Sequence, residues 1–236
     1  MRTSNSPGAG RGVLEGAFAL LDAVEQVGQA RLTTLAAAAG LPKTTARRLL
    51  EQLVELGAVE RSGAVFRVGP RIFRLGASWQ PSPGLLAAAR RPVRELARAT
   101  GATVGLFVLE EGRTMAAATA PGELEAVMPV RSGMTFPWNT AAGKVLVAGA
   151  CGSGAGPGLP VLESTGSWSQ EAARIRDAGF AVDHGDVVDG VRCVAAPVTD
   201  RRGAVVAALC AMTDDSASLR RLTDAVLRAR DQLSPH

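Results

Sequence analysis

Residues 40–61 read GLPKTTARRLLEQLVELGAVER, and the two halves of this stretch differ in their chemistry. After the tight turn Gly40-Leu41-Pro42, apolar residues recur at helical spacing, which predicts an amphipathic helix from Lys43 to Leu56. The side chains expected to be buried are Ala46, Leu49, Leu50, Leu53 and Val54. Basic and hydroxyl side chains crowd the start of the same helix, off the apolar stripe. One end of the helix is therefore predicted to pack in a core, and the other end to face a negatively charged partner.

The segments on either side of this stretch complete an order of elements. A 3.6-residue apolar period predicts a helix that begins at Val13 and ends near Gly28, and TLAAAA at 34–39 predicts a second, short helix. On the other side, AVERSGAVFRVG at 58–69 contains two short alternating segments around Ser62-Gly63, which is typical of a β-hairpin. Helix, short helix, tight turn, helix and hairpin is the order of a winged helix-turn-helix.

A winged helix-turn-helix is typical of DNA-binding proteins. In this motif the N-terminal residues of the recognition helix enter the major groove, while its apolar face holds the domain together. Threonine hydroxyls bind phosphates or base edges, and arginine binds guanine with two hydrogen bonds. The candidate DNA-binding residues are Thr33, Lys43, Thr44, Thr45, Arg47, Arg48, Arg61 and Arg67. A winged helix used for protein contacts is the alternative that these residues leave open.

The distribution of charge agrees with a polyanion-binding N-terminal module. The chain has 236 residues and a net charge of +4, which is long enough for two domains of ordinary size. Its first 80 residues hold 10 Lys and Arg against 6 Asp and Glu, whereas the remaining residues hold 16 of each. The whole excess of positive charge therefore lies in the first third of the chain.

The composition speaks against several other classes of protein. The three cysteines, Cys151, Cys193 and Cys210, form no C-x-x-C pair, and only two histidines accompany them, so we expect no zinc site and no cofactor. The longest apolar runs, such as GAVVAALCAM at 203–212, are far shorter than the roughly 20 residues that span a bilayer. The N-terminus has no apolar segment of signal-peptide length. We expect a reduced, soluble, cytoplasmic protein with no membrane partner.

The pattern of the chain after residue 70 predicts a connecting helix followed by an α+β domain. A connecting helix starts within PRIFRLGASWQ at 70–80, is interrupted by Pro-Ser-Pro-Gly at 81–84 and resumes to about residue 100. Strands are predicted for TVGLFVL, RTMAAATA, LEAVMPV, VRCVAAPVTD and GAVVAALCAM, and helices for TAAGKVLVAGA, for 169–178 and for about 217–233. Antiparallel hairpins with helices to one side describe such a domain. Four arginines at 90, 91, 94 and 98 lie on the exposed face of the connecting helix, as a solvated surface or a subunit contact.

Several of these stretches resemble the IclR family of bacterial transcriptional regulators. GVLEGAFALLDAV, LPKTTARRLLEQLVELGAVER and FRVGPRIFRLG resemble its DNA-binding half, and TAAGKVLVA and GVRCVAAPVTDRRGAVVAALCA resemble its effector-binding half. The resemblance covers about residues 12–232. It implies an α+β protein with an N-terminal winged helix-turn-helix, a linker helix and a C-terminal GAF-like α/β effector-binding domain with an antiparallel sheet. The expected parts are a disordered basic arm (1–11), the DNA-binding domain (12–70), the linker helix region (71–100) and the effector-binding domain (101–236).

The resemblance also implies a mode of action and a ligand pocket. Such proteins form dimers or tetramers, bind palindromic operators in double-stranded DNA and respond to a small metabolite, often a carboxylate or an aromatic compound; repression is expected rather than activation. The effector-binding residues that it implies are Met128, Phe136, Ala141, Ala142, Gly143, Asp183, Val191, Cys193, Cys210 and Met212. Family members that bind small carboxylates commonly carry hydroxyls where this chain has Cys210 and Met212, so we expect a less polar pocket.

Three alternatives stay open from the residues alone. Asp183 is either a ligand contact or a carboxylate that only holds its local turn. Cys193 and Cys210 are either small buried side chains or a redox-sensitive pair on neighbouring strands. The C-terminal domain is either a binding domain or an enzyme that processes a small molecule. Two histidines, no tyrosine and no recognisable triad or metal set argue against the enzyme, so we expect none.

Overall fold

The computed structural model describes residues 12–110, 112–150, 166–214 and 219–233. The basic arm expected over 1–11 and Cys151 lie outside these residues. The contacts divide the chain into two compact units, with the boundary between Trp79 and Gln80. Within the described residues, no helix combines the length and the apolar character needed to cross a bilayer.

The first unit is three helices, a three-stranded sheet and a short fourth helix. In chain order these are α1 (Val13–Val27), β1 (Gln29–Arg31), α2 (Leu32–Ala38), α3 (Lys43–Glu55), β2 (Val59–Ser62), β3 (Val65–Val68) and α4 (Pro70–Gly76). The sheet is antiparallel with the order β1-β3-β2. The predicted winged helix-turn-helix is therefore formed, with the β2–β3 hairpin as its wing.

The core of the first unit explains why these segments become helices. Leu20, Val24, Leu35 and Leu50 are fully buried, and they come from α1, α2 and α3 at helical spacing. Strand β1 was not expected, because three residues with only the middle one buried give no recognisable pattern. It forms because β3 offers a free edge at which Ala30 pairs with Phe66.

The second unit is a six-stranded antiparallel sheet with helices on both faces. Its elements are α5 (Leu85–Thr100), β4 (Thr103–Glu110), β5 (Arg113–Ala120), a 3-10 helix (Glu123–Ala126), β6 (Thr135–Phe136), α6 (Ala141–Ala150), α7 (Gly166–Ala178), β7 (Ala181–Asp183), β8 (Arg192–Thr199), β9 (Val205–Thr213) and α8 (Leu219–Asp231). The strand order is β6-β5-β4-β9-β8-β7. Helices α5 and α8 share one core with the sheet, and α6 and α7 share the other.

Two expectations about this unit were wrong. Helices cover both faces rather than one, because strands such as TVGLFVL are apolar on both faces, which is the pattern of a strand buried on two sides. LEAVMPV is not a strand but a 3-10 turn and the residues after it. There the N–H groups of Val127 and Met128 both bond to the carbonyl of Leu124, and Val127 is exposed.

Helix α5 belongs to the second unit by its packing. Ala89, Val93 and Leu96 are buried in the core that α5 shares with α8 and the sheet. Residues 71–100, which we expected to form a linker, are thus divided between the units: α4 lies before the boundary and α5 after it. The exposed face of α5 carries the four arginines, and Arg91 forms an ion pair with Glu95 at 2.8 Å.

Candidate functional site

The start of α3 presents the basic surface predicted from the sequence. Lys43, Thr44, Arg47 and Arg48 are exposed and Thr45 is half-buried. Ala46, Leu49, Leu50 and Leu53 fill the core on the opposite side of the helix. In the part of the chain that the structure describes, no carboxylate forms an ion pair with the cations of α3. These charges are therefore free to meet the phosphates of a nucleic acid.

The remaining candidate DNA-binding residues have different surroundings. Thr33 is exposed in α2. In the wing, the Nε of Arg61 donates to the carbonyl of Gly63 at 3.0 Å, and its guanidinium lies 5.6 Å from the centre of the Phe66 ring. Arg67 is paired with Glu60 across the hairpin at 2.7 Å, and both side chains are substantially exposed. The wing arginines are held by their own hairpin, whereas the cations of α3 are not.

A small cavity, partly open to solvent, lies between the sheet and α6 in the second unit. Its volume is about 40 Å³. Its walls come from β4, β6, β7, β8, β9, the start of α6 and the loops after the 3-10 helix and after β7. The lining residues are Phe107, Met128, Phe136, Thr140, Ala141, Ala142, Asp183, Val187, Val188, Val191, Cys193, Cys210 and Met212. The walls are mostly apolar, with Asp183 as the one carboxylate among the lining residues.

Nine of the ten residues named for an effector pocket line this cavity, and the exception is Gly143. Gly143 is buried in α6 against the backbone of Trp138, where a Cβ would overlap the Trp138 carbonyl. Four lining residues were missed. Thr140 was recognisable as the residue before a helix, and its Oγ1 accepts the N–H of Gly143 at 3.1 Å. Phe107, Val187 and Val188 gave no signal that separates them from ordinary strand and loop residues.

The carboxylate of Asp183 organises the loop that follows β7. It is buried, and its Oδ1 accepts the N–H of Gly185 at 2.9 Å and the N–H of Asp186 at 2.8 Å. Asp183 therefore holds its local turn and also lines the cavity, so the two roles weighed from the sequence are compatible.

The two cysteines of the cavity lie on neighbouring strands but not opposite one another. Cys193 pairs with Met212, and Cys210 pairs with Ala195. A hydrogen bond with Cys193 and complete burial raise the pKa of the Cys210 thiol well above its usual range. The two thiols are close enough to hydrogen-bond, but α-carbons at diagonal positions of an antiparallel sheet lie about 7–8 Å apart, which is longer than a disulfide ordinarily spans. The redox alternative finds no support in this arrangement.

A half-buried cation lies beside the cavity. Lys144, on α6, is 13 % exposed and contacts Glu171 of α7 at 3.0 Å and Asp186 of the loop after β7 at 3.5 Å. Burial would lower the pKa of Lys144, but the hydrogen bonds and charges of Glu171 and Asp186 outweigh it and raise this pKa above its ordinary value. Lys144 therefore joins three elements as a permanent cation.

Comparisons with known proteins place both units in one group. The family model of the IclR helix-turn-helix domain matches residues 13–63, and that of the bacterial transcriptional regulator IclR C-terminal domain matches residues 162–233. The HTH-type transcriptional regulator XynR of Escherichia coli (strain K12) is 30% identical over 235 residues, covering 93% of this chain and 92% of that protein. The transcriptional repressor IclR of the same organism is 27% identical over 215 residues, covering 85% and 77%.

A solved structure shares the fold along almost the whole chain. It is an IclR homologue from Microbacterium hydrocarbonoxydans complexed with 4-hydroxybenzoate. The TM-score is 0.80 at 18% sequence identity, and the match covers 94% of this chain and 98% of that one.

Proposed function

We propose a repressor function for this chain, which belongs to the IclR family of bacterial transcriptional regulators. It is a DNA-binding regulator of transcription, and the proposal adds that a small molecule in the cavity of the second unit controls its binding to an operator. The observation that carries the proposal is the division of α3 into a buried apolar face and an exposed, unpaired basic start. The protein would act in the cytoplasm.

The proposed DNA contact follows from the position of the basic residues. The start of α3 lies in the major groove, where Arg47 and Arg48 reach bases or phosphates, and Thr33 and the wing residues Arg61 and Arg67 contact the backbone. Two copies of the first unit read the half-sites of a palindrome about one helical turn, roughly 34 Å, apart. Phosphate contacts make the operator affinity fall steeply with salt.

Exposed apolar side chains in the first unit support self-association. On α1, Leu14 is 76% and Phe18 is 65% exposed, and on α4 Phe73 is 79% exposed. Large apolar side chains that cluster on exposed helices commonly mark protein interfaces. We assign these helices to the contact that pairs two DNA-binding units in a dimer.

The cavity favours a small apolar or aromatic effector with a carboxylate. Phe107 and Phe136 meet edge to face, with their ring centres 5.8 Å apart. Together with the methionine and cysteine side chains that line the cavity, they form an apolar wall. The free N–H groups at the start of α6, at Ala141 and Ala142, suit an anionic group. Effector binding would change operator affinity through a coupling of about 1–3 kcal/mol. The proposal assigns binding, not turnover, to this unit.

The first experiment measures binding to the DNA upstream of the protein's own gene, at two salt concentrations, with unrelated DNA as competitor. Sequence-selective binding that weakens with salt is expected. The double variant Arg47→Ala/Arg48→Ala should lose it by at least about tenfold, because an arginine contact to a base or phosphate contributes about 1–3 kcal/mol. The matched control is Arg90→Ala/Arg98→Ala, which removes the same charge from exposed positions of α5.

Equal loss in both double variants would show that general charge, not α3, binds the DNA. Retention of selective binding by Arg47→Ala/Arg48→Ala would remove α3 from the major groove. Once an operator is found, 4-hydroxybenzoate is the first effector probe. Trp138, in the turn between β6 and α6, and Trp168, on α7, have ring centres 5.1 Å apart and provide a fluorescence signal for its binding.

A further inference from the structure

The cavity as it stands is too small for a metabolite. Its volume is about 40 Å³, whereas an apolar cavity that admits a benzene ring measures about 150 Å³. The sheet and α6 that form its floor and one wall are packed in a continuous core. An effector therefore enters only if a wall outside this core moves.

The segment between β7 and β8 is that wall. Val187 and Val188 line the cavity from this segment, and Val188 is also 41 % exposed, so its side chain borders both the cavity and solvent. Gly185 and Gly190 stand at the two ends of the segment with φ angles of 104° and 78°. These are left-handed conformations that glycine adopts without strain, so both ends tolerate changes of backbone direction.

Polar contacts, rather than a packed core, hold this segment in place. At its first end, Asp183 accepts the N–H groups of Gly185 and Asp186. The side chain of Asp186, 58 % exposed, reaches Lys144 on α6 at 3.5 Å. Lys144 has a second and closer partner, Glu171, at 3.0 Å. Because Glu171 keeps Lys144 paired, Asp186 can leave without stranding a half-buried charge.

We propose that residues 185–190 form a lid over the cavity, and that Lys144 is a positioning residue that latches the lid closed through Asp186. The lid governs how quickly an effector enters and leaves. This inference rests on the proposed function for the identity of the ligand site. Its test does not, because the test follows exposure of the cavity rather than regulation.

The test uses iodoacetamide, whose iodide is displaced by a cysteine thiolate as an S–C bond forms. Cys210 is buried in the cavity wall and reacts only when the lid opens, so its alkylation rate reports lid opening. The background variant Cys151→Ser removes the third thiol. Tryptic peptides 203–220 and 193–201 separate Cys210 from Cys193, so mass spectrometry gives each rate in the full-length protein.

Asp186→Asn should accelerate alkylation of Cys210 by about two- to fivefold, the change expected for loss of an exposed ion pair. Lys144→Met should accelerate it equally, and Lys144→Arg should restore the slow rate. The matched control is Asp189→Asn, an identical change in the same segment at a residue that forms no ion pair among the described residues. Its rate should equal that of the background protein.

Equal rates in Asp186→Asn and Asp189→Asn, whether slow or fast, would overturn the latch. Unchanged thermal unfolding of the variants identifies an accelerated rate as lid opening rather than loss of fold. Operator binding without effector is measured on the same samples and should be identical in all of them. If the alkylation test contradicts the lid while operator binding is intact, the proposed regulatory function still stands. If operator binding is not found, the alkylation result on the lid remains valid.

Discussion

At Gly143 the missing side chain shapes the cavity. The backbone of Trp138 rests against the α-carbon of Gly143, and the Oγ1 of Thr140 accepts its N–H. Phe136, the last residue of β6, and Thr140, in the turn between β6 and α6, both line the cavity. The loop keeps its position because α6 offers a bare backbone surface there. Gly143 therefore acts on the cavity through the loop, which differs from the ligand contact implied by the family resemblance.

The variant Gly143→Ala is expected to destabilise the second unit by about 1–3 kcal/mol, the usual cost of overpacking. Its Cβ must push the 137–140 backbone away, because the atoms that it meets belong to the main chain. Differential scanning calorimetry of the full chain measures the loss, and fluorescence of Trp138 reports the displacement. Gly76→Ala in α4 is the control: nothing lies within 4 Å of its added Cβ, so stability should stay equal or rise. Unchanged stability of the Gly143→Ala variant would contradict this account of the loop.

Among the elements, α3 carries its charges in an order that disfavours its own stability. Its first turn has no acidic residue and its last turn no basic one, whereas Lys43 and Arg47 lie near the start, and Glu51 and Glu55 near the end. The partial positive charge at a helix N-terminus favours anions, so this order is the reverse of the stabilising one. DNA phosphates at the start of the helix would supply the missing anions.

Replacing Lys43 by glutamate should therefore change stability and binding in opposite directions. Stability of the first unit is expected to rise by about 0.3–1 kcal/mol, while operator affinity falls at least about tenfold because a carboxylate meets phosphate. Calorimetry and a DNA-binding titration on the same sample check both. Arg220→Glu makes the same reversal of charge near the start of α8, which also lacks an acidic residue in its first turn. It should gain stability and keep its operator affinity; lower stability in Lys43→Glu would refute the dipole argument.

For the whole molecule, assembly and DNA binding are expected to fail together. Phe18→Glu places a charge on the exposed apolar face of α1 and should convert the proposed dimer to a monomer, as measured by sedimentation. Operator affinity should then drop by about 100-fold or more, because two tethered half-site contacts become independent. Val127→Glu, at an even more exposed apolar residue of the second unit, is the control and should keep the proposed dimer and its DNA binding. A dimeric Phe18→Glu protein would move the contact away from α1.

The sequence predicted the elements whose pattern is local. The helical stripes of α3 and α8 and the hairpin around Ser62-Gly63 were all recognised from spacing alone. What it could not show depends on partners distant in the chain. Strand β1 exists only through its pairing with β3, and the ion pair between Arg67 and Glu60 requires the hairpin register. Most cavity residues came from the family resemblance, and Val188 was missed because a loop valine carries no sign of what it covers.

Neighbouring residues of β9 belong to different cores. Cys210 lines the cavity, whereas Leu209 and Ala211 pack on the opposite face with α5 and α8. A molecule bound on one face is thus a single layer of backbone away from α5, the helix that follows the first unit in the chain. The size of the change in operator affinity on ligand binding would then depend on how rigidly the six hydrogen-bonded strands move together. Substitutions on the sheet face that packs against α5 and α8 would alter that change and leave ligand affinity itself unchanged.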